Sequence, residues 1–463
     1  MFDANTYIQR RKKLREQMGS GLALLLGNDE CPMNYPANPY HFRQDSSFLY
    51  FFGLDHPGLA GIVDVDEGKD IIFGDDVTIE DIIWMGFQPL LKDRASKCGV
   101  TETMSSNKLG EVLKKTIRKG RKVHFLPPYR SEAMLKISDV LGIKPALVID
   151  YSSTDFIKAV VAQRSIKSDE EIEEMERALA VTHEMYLAAM GMAESGTFER
   201  EIVGRMEGIA RSAGCYMAFP TILSIDGQIL HNHYHGNRLE KGRLVVCDSG
   251  AESQMHYASD ITRTFAVDGV FTQKQKEVYE VVLKTQKTAI LEIKPGVTYK
   301  EVHMSAAKTT ASGLKDLGLM KGDVDEAVQK GAHALFFPHG LGHQIGLDVH
   351  DMEDLGEKFV GYDENIERSD QFGLAYLRYG KELNPGLVLT VEPGIYFIPA
   401  LIDKWRSEGK FADFLDYDRI EGYKDFGGVR IEDDVLVTVD GSRVLGKPIP
   451  KTLEQLRSAA GKG

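Results

Sequence analysis

Four carboxylates and one imidazole stand in five short contexts that each end an apolar run or sit among glycines. They are Asp248 in LVVCDSGAE, Asp260 in YASDITRTF, His343 in FPHGLGHQIGLDVHD, Glu392 in LVLTVEPGIYF and Glu432 in GGVRIEDDVLVT. Taken singly, each reads as a solvated residue beside a turn. A charge delivered by a buried strand needs a partner, because an unpaired ion removed from water is strongly penalised. Four carboxylates brought together repel one another and partly protonate, unless cations lie between them. A chain of this kind is therefore constrained to gather segments spread from residue 248 to residue 432 around a pair of divalent cations, which would cancel the four negative charges.

The rest of the chain is organised in a way that allows this. The first 165 residues alternate apolar runs (GLALLLG, LAGIVDVDEGKDIIFG, KVHFLPP, ALVIDYS) with polar helical ones such as KLGEVLKKTIRKG, which predicts an α/β domain over 1–165 with its own sheet. The charged run RRKKLRE reads as the polar face of a helix. From Ser168, the pattern SDEEIEEME pairs Ser168 with Glu171 as a capping box and opens a long helix. Its stripe is Ile172, Met175, Leu179, Thr182 and Tyr186, and Gly196 is its expected end. The turns ESGTFEREI and KPGVTYKEV, each with a threonine as candidate N-cap, echo one another at Gly196 and Gly296. That doubling predicts two similar halves about a pseudo-two-fold axis within a second domain, residues 166–463. Beyond residue 340 the chain is strand-like, with a polar excursion near 353–371 and a helical insert between Phe397 and Gly427.

Composition narrows the function. The 463 residues carry a formal charge of −13, spread along the chain, which argues against nucleic acid and anionic membrane surfaces as partners. Cys31, Cys98, Cys215 and Cys247 show no CxxC pair and read as free thiols of a reducing compartment. No run reaches the ~20 apolar residues of a membrane span. The expectation is a cytoplasmic protein.

Within the motifs, Asp248 ends the short apolar strand Leu244 to Val246, and Asp260 shares one strand face with Thr262 and Thr264. A hairpin brings the two aspartates together. Glycines 340, 342 and 346 make a helix improbable around His339 and His343, so the familiar helical zinc spacing does not apply. His343 is the better ligand, and His350 the better hydrogen-bond donor to a substrate or intermediate. His339 reads equally well as a packed histidine. In the last strand Arg430 shares a face with Glu432 and is placed to orient it, although an Arg and a Glu flanking one residue also describe a surface pair. One imidazole among oxygens, without thiolate, suits Mn²⁺ first, then Co²⁺ or Zn²⁺. Two such ions can share a hydroxide as nucleophile. Neither a GxSxG elbow nor a P-loop is present.

These segments resemble the pita-bread metallopeptidases, the group of aminopeptidase P, prolidase and methionine aminopeptidase, over nearly the whole chain. FRQDSSFLYFFGLDHPG is similar to the amino-terminal domain that the first two possess and the third lacks. The resemblance implies that Asp248 binds one metal, that Asp260 and Glu432 bridge both, and that His343 and Glu392 hold the other. Glu392 is then also a proton shuttle, His231 lies near the scissile carbonyl and His350 stabilises the tetrahedral intermediate. His233 and His235 compete with His231 for its place. The resemblance further implies a peptide substrate with proline second, an Xaa-Pro bond being a tertiary amide without an N–H. The insert after VEPGIY and Arg378 in LRYGKELNPG resemble the prolidase branch, in which an arginine takes the free carboxylate of a dipeptide. With His339 they are the expected substrate-binding residues; a surface arginine is the simpler alternative for Arg378. Trp84 in IIWMGFQ resembles a position that reaches a neighbouring subunit, so a homodimer or larger is expected, a buried core tryptophan being the alternative.

Three other functions compete. Aminopeptidase P action on longer peptides differs by substrate length. A non-catalytic protein of the same fold is disfavoured because all five ligands are present, and metal-free creatine hydrolysis is disfavoured on the same ground.

Overall fold

The computed structural model describes residues 1–461. It divides into two compact units, Met1–Arg164 with Met352–Phe359, and Ser165–Asp351 with the chain from Val360 onward. In the first, the strands β1 (Leu22–Leu26), β2 (Ala60–Asp64), β3 (Lys69–Phe73), β4 (Glu102–Met104) and β5 (Val123–Phe125) form one mixed sheet of order β4-β3-β2-β1-β5. The antiparallel pair β2 and β3 turns at Gly68, whose φ of +69° suits a residue without Cβ. Leu24, Ile62, Phe73, Leu113 and Phe125 build its core.

Two expectations fail in this unit. ALVIDYS forms the 3₁₀ turns Pro145–Leu147 and Ile149–Tyr151 instead of a strand. Pro145, which lacks an N–H, stands at the first position of its turn. The run RRKKLRE does lie in a helix, Ala4–Gln17, but it is more than a polar face, because Arg10 and Arg11 are buried. Arg11 donates to Asp70 Oδ2 at 2.8 Å and to the carbonyls of Phe51 (2.7 Å) and Cys98 (2.8 Å). A buried guanidinium with its forks filled ties distant segments together.

The second unit repeats a simple plan. Two long helix pairs, Asp169–Gly191 with Glu199–Ser212 and Gln273–Glu292 with Tyr299–Asp316, are each followed in the chain by antiparallel strands. The expected stripe Ile172, Met175, Leu179, Thr182 and Tyr186 is buried. The first helix ends at Gly191, however, and Gly196 (φ +94°) instead opens the turn to the next. The two echoing turns also differ. The Thr298 hydroxyl accepts from the Glu301 N–H at 3.2 Å, whereas Phe198, not Thr197, occupies the cap in the first half. There the Glu201 carboxylate accepts from the Phe198 N–H at 2.7 Å.

Strands β6 (Tyr216–Met217) and β9 (Ala251–Glu252) pair with each other, and β7 (Ile222–Ser224), β8 (Leu244–Ser249) and β10 (Ile261–Ala266) form a sheet of order β10-β8-β7. In the second half, β11 (Val388–Val391), β14 (Asp433–Val437) and β15 (Ser442–Val444) form a sheet of order β11-β14-β15, while β12 (Gly394–Tyr396) pairs with β13 (Gly428–Arg430). This is the expected α/β pita-bread arrangement. Tyr299, Val302, Phe337, Leu389 and Val435 pack the core behind the second sheet. The insert carries the helices Pro399–Ser407 and Tyr417–Glu421.

Candidate metal centre

The antiparallel pair β8 and β10 sets Asp248 opposite Thr262, so Asp260 precedes its strand by one residue rather than lying within it. Its N–H donates to Asp434 Oδ2 at 3.1 Å. Glu432 falls in the step between β13 and β14, where the chain passes from one strand pair to another, and not in a continuous strand. Its N–H donates to the Thr262 carbonyl (3.0 Å) and its Oε2 accepts from the Thr262 hydroxyl (2.7 Å). Thr262 thus links the elements carrying Asp248, Asp260 and Glu432, three of the candidate ligands.

His343 sits in an irregular loop pressed against β11. The Thr390 N–H donates to the His343 carbonyl (2.9 Å), and the Glu392 N–H donates to the Leu341 carbonyl (2.8 Å). The approach is so close that a Cβ on Gly342 would lie 2.1 Å from the Thr390 carbonyl oxygen, which explains the glycine. The Gln344 carbonyl lies 3.0 Å from His343 Nδ1. A carbonyl can only accept, so Nδ1 carries the proton and Nε2 presents its lone pair. That nitrogen stands 3.5 Å from Asp260 Oδ2 and 3.9 Å from Glu392 Oε1.

Donor atoms of Asp260, His343 and Glu432 lie within 4.8 Å of one another, comparable to the ~4.4 Å that two ligands at about 2.2 Å from one ion can span. Oδ1 of Asp248 and Oδ1 of Asp260 are buried with no hydrogen-bond partner among the described residues. Burial, and then the neighbouring carboxylates, push the Asp260 and Glu432 carboxyls well above the usual range. Burial raises Glu392 to about 8, against the opposing pull of Arg430. Orphaned buried oxygens, mutual repulsion and an imidazole nitrogen facing carboxylates are what a cation site requires, and these residues fit one.

Arg430 takes a different place from the one expected of it. Its Nη2 donates to Asp248 Oδ2 at 2.6 Å and its Nη1 to the Tyr396 hydroxyl at 2.8 Å. Its hydrogen-bond path to Glu432 runs through Thr262, whose hydroxyl accepts from Nε at 3.1 Å, while its charge also acts on Glu432. The strand pair β12 and β13, which opposes Gly394 to Arg430, sets this up. Tyr396 also lies 3.0 Å from His339 Nε2, while His339 Nδ1 donates to the Gly340 carbonyl at 2.8 Å. Burial, helped by Arg430, holds His339 down to about 3, so it stays neutral and accepts from the phenol. Tyr396 had no signal beyond being a tyrosine in a buried strand, and sequence reasoning missed it.

The five residues open into a cavity of about 530 Å³. His231, His233, His339, His350 and Arg378 line it too. His235 does not, its Nε2 lying 3.0 Å from the Thr221 carbonyl oxygen. Burial and then Arg430 lower His231, which leaves it neutral near pH 7. The His350 ring packs edge-on to His343, centroids 4.3 Å apart. Arg378 is half-buried and near enough to Glu392 to act on its charge, unlike a surface cation. Phe219, Leu230, Phe372, Tyr376 and Ile398 add an apolar wall that sequence reasoning did not identify.

Residues 173–439 match the model of metallopeptidase family M24, and residues 7–124 match the aminopeptidase P N-terminal domain. The chain belongs to family M24. The human Xaa-Pro dipeptidase is 32% identical over 97% of this chain and 90% of that protein. A probable Xaa-Pro aminopeptidase of Fusarium vanettenii is 31% identical over 94% and 89%. Among solved structures, Escherichia coli aminopeptidase P with the inhibitor Pro-Leu has a TM-score of 0.81 at 29% identity, covering 99% of this chain and 98% of the other. Its zinc-substituted form in complex with product gives 0.80 at 28%, with the same coverage. Membership of this family implies divalent metal ions, in keeping with the donor set. No helix among the described residues is long and apolar enough to cross a membrane.

Proposed function

We propose that this chain is a two-metal exopeptidase that hydrolyses the bond before proline and works best on Xaa-Pro dipeptides. The observation that carries this is the convergence of Asp248, Asp260, His343, Glu392, Glu432 and the half-buried Arg378 on one cavity. Asp248, Asp260, His343, Glu392 and Glu432 would hold the two ions, with Asp260 and Glu432 the candidates shared between them. Bound there, divalent cations neutralise the carboxylates and bring the pKa of water toward neutrality. Oxygen-rich ligation favours Mn²⁺ over Co²⁺ or Zn²⁺.

The protein's own groups then divide the work. Glu392, an ionised carboxylate facing the cavity once cations are bound, takes a proton from the attacking water and returns it to the proline nitrogen as the C–N bond breaks. His350, against the metal-ligand loop, donates to the oxyanion that develops from the scissile carbonyl. Neutral His231 steadies the substrate carbonyl. The apolar wall receives the proline ring, and Arg378 pairs with the free carboxylate of a dipeptide. His339 acts through Tyr396 and Arg430 rather than on the substrate.

The names of the dipeptidase relatives support the dipeptide preference, whereas the aminopeptidase P structures support longer peptides as the second reading. Comparing Gly-Pro with a Gly-Pro-containing tripeptide under added Mn²⁺ decides. Preferential cleavage of Gly-Pro is expected, and a clear preference for the tripeptide would reverse the assignment. A non-catalytic binding role would leave both uncleaved.

A homodimer or larger assembly is proposed from the first unit. Trp84 is 81% exposed, not a core residue, and stands with exposed Ile79, Ile83 and Phe87. The unpaired cysteines support a cytoplasmic location.

A further inference from the structure

The two carboxylates assigned to both ions come from different sheets. Asp260 leads into β10 of the first and Glu432 into β14 of the second, and instead of a continuous strand ladder they are joined by the Glu432 N–H to Thr262 carbonyl bond, the Thr262 hydroxyl and the Asp260 N–H to Asp434 bond. Yet a site for two cations tolerates only small changes in ligand spacing. Those few bonds lie at the cavity, and a further tie is made behind them.

Arg263 spans that gap. Its residue is 1% exposed, and every arm of its guanidinium is used. Nη1 donates to the Thr262 carbonyl (2.9 Å) and to the carbonyl of Glu432 itself (2.6 Å). Nη2 donates to Asp433 Oδ1 (2.6 Å) and to the Ile449 carbonyl (3.2 Å), and Nε to the Pro450 carbonyl (3.0 Å). Asp433 is gripped from its other side by Gln286 Nε2 at 2.6 Å and by the ammonium of Lys451. The Tyr279 hydroxyl then donates to the Lys451 carbonyl at 2.8 Å. The M24 match ends at residue 439, so Ile449 to Lys451 lie outside it.

We infer that Arg263 is a positioning residue that clamps the two sheets at the spacing both cations need, and that the segment Ile449 to Lys451 is its anchor and hence part of the metal centre. The planar fork is essential: a lysine ammonium is a single point and cannot meet Thr262, Glu432, Asp433 and the anchor together. The inference rests on the two-metal reading above, and the test keeps the two apart.

The full-length protein is freed of metal with a chelator and titrated calorimetrically with Mn²⁺ as wild type, Arg263→Lys and Lys451→Met. Arg263→Lys is expected to weaken Mn²⁺ binding by about 10- to 100-fold, the scale of losing a ligand's supporting partner. Lys451→Met should weaken it less, in the same direction, and saturating Mn²⁺ should restore most of the wild-type kcat to both. Should Arg263→Lys not fold, Lys451→Met decides alone. Wild-type affinity in every variant that folds, or a fall in kcat at saturating metal with unchanged affinity, overturns the clamp. A wild-type protein that takes up no Mn²⁺ overturns the metal reading instead.

Discussion

Arg430 donates to Asp248 across 2.6 Å while its other arm holds the Tyr396 hydroxyl, so one buried guanidinium fixes the orientation of a metal-facing carboxylate. The opposite oxygen of Asp248 is left buried and unpaired. An aspartate steered on one side and bare on the other has the geometry expected of a candidate cation ligand.

Removing the steering should therefore act through the ligand. Arg430→Lys keeps the charge but loses the fork, and kcat/KM for Gly-Pro should fall by about 10- to 100-fold. Mn²⁺ titration should show weaker binding in step. A variant with full activity would leave Asp248 without need of its partner.

Without metal, the carboxyl pKa values predict an unusual pH dependence. Glu392 lies near 8 in the folded chain against 4.5 for an ordinary glutamate, so the folded state holds a proton that the unfolded state has lost. The contribution of this group to the stability of the metal-free protein is accordingly full below about pH 4.5, falls as pH rises, and is gone above about 8. Asp260 and Glu432, also raised, act in the same direction. Thermal melts in chelator across this range should show the decline, added Mn²⁺ should reverse it at pH 8, and metal binding should release protons.

His350→Ala should lower kcat by about a hundredfold, as for loss of a single oxyanion donor. Its metal content should stay at the wild-type level, because His350 supports the reaction and not the ions. Elemental analysis beside steady-state kinetics separates the two effects.

Arg378→Ala should raise KM for Gly-Pro by at least about tenfold, the scale of a charge-assisted pair. Turnover of a Gly-Pro-containing tripeptide should change little. Equal losses on both substrates would place Arg378 outside carboxylate recognition.

Much of this site was readable before any coordinates, because the relevant signals are local. A carboxylate near the end of an apolar strand, as Asp248 is, or directly after one, as Glu392 is, declares a charge drawn out of bulk water by its neighbours alone. What could not be read is pairing across the fold. Arg430 and Glu432 alternate with Ile431 and looked like partners, but the change of strand pair between them turns Arg430 toward Asp248 and Tyr396. Tyr396, Asp434 and Arg263 gain their roles only from contacts with residues distant in the chain. Trp84 shows the same limit in reverse: an apolar residue in an apolar run predicts burial or a partner, and its exposure excludes only the core. Helix ends were equally hard, since Gly196 and Thr197 carry the punctuation of a cap while Phe198 occupies the position.

The most direct test of the central claim is the metal stoichiometry of the purified protein after Mn²⁺ loading and removal of excess ion. Two ions per chain are expected for the wild type, and less than two, with loss of Gly-Pro hydrolysis, for Asp260→Asn. Less than one ion in the wild type, or an Asp260→Asn variant that keeps both its metal and its turnover, would contradict the account.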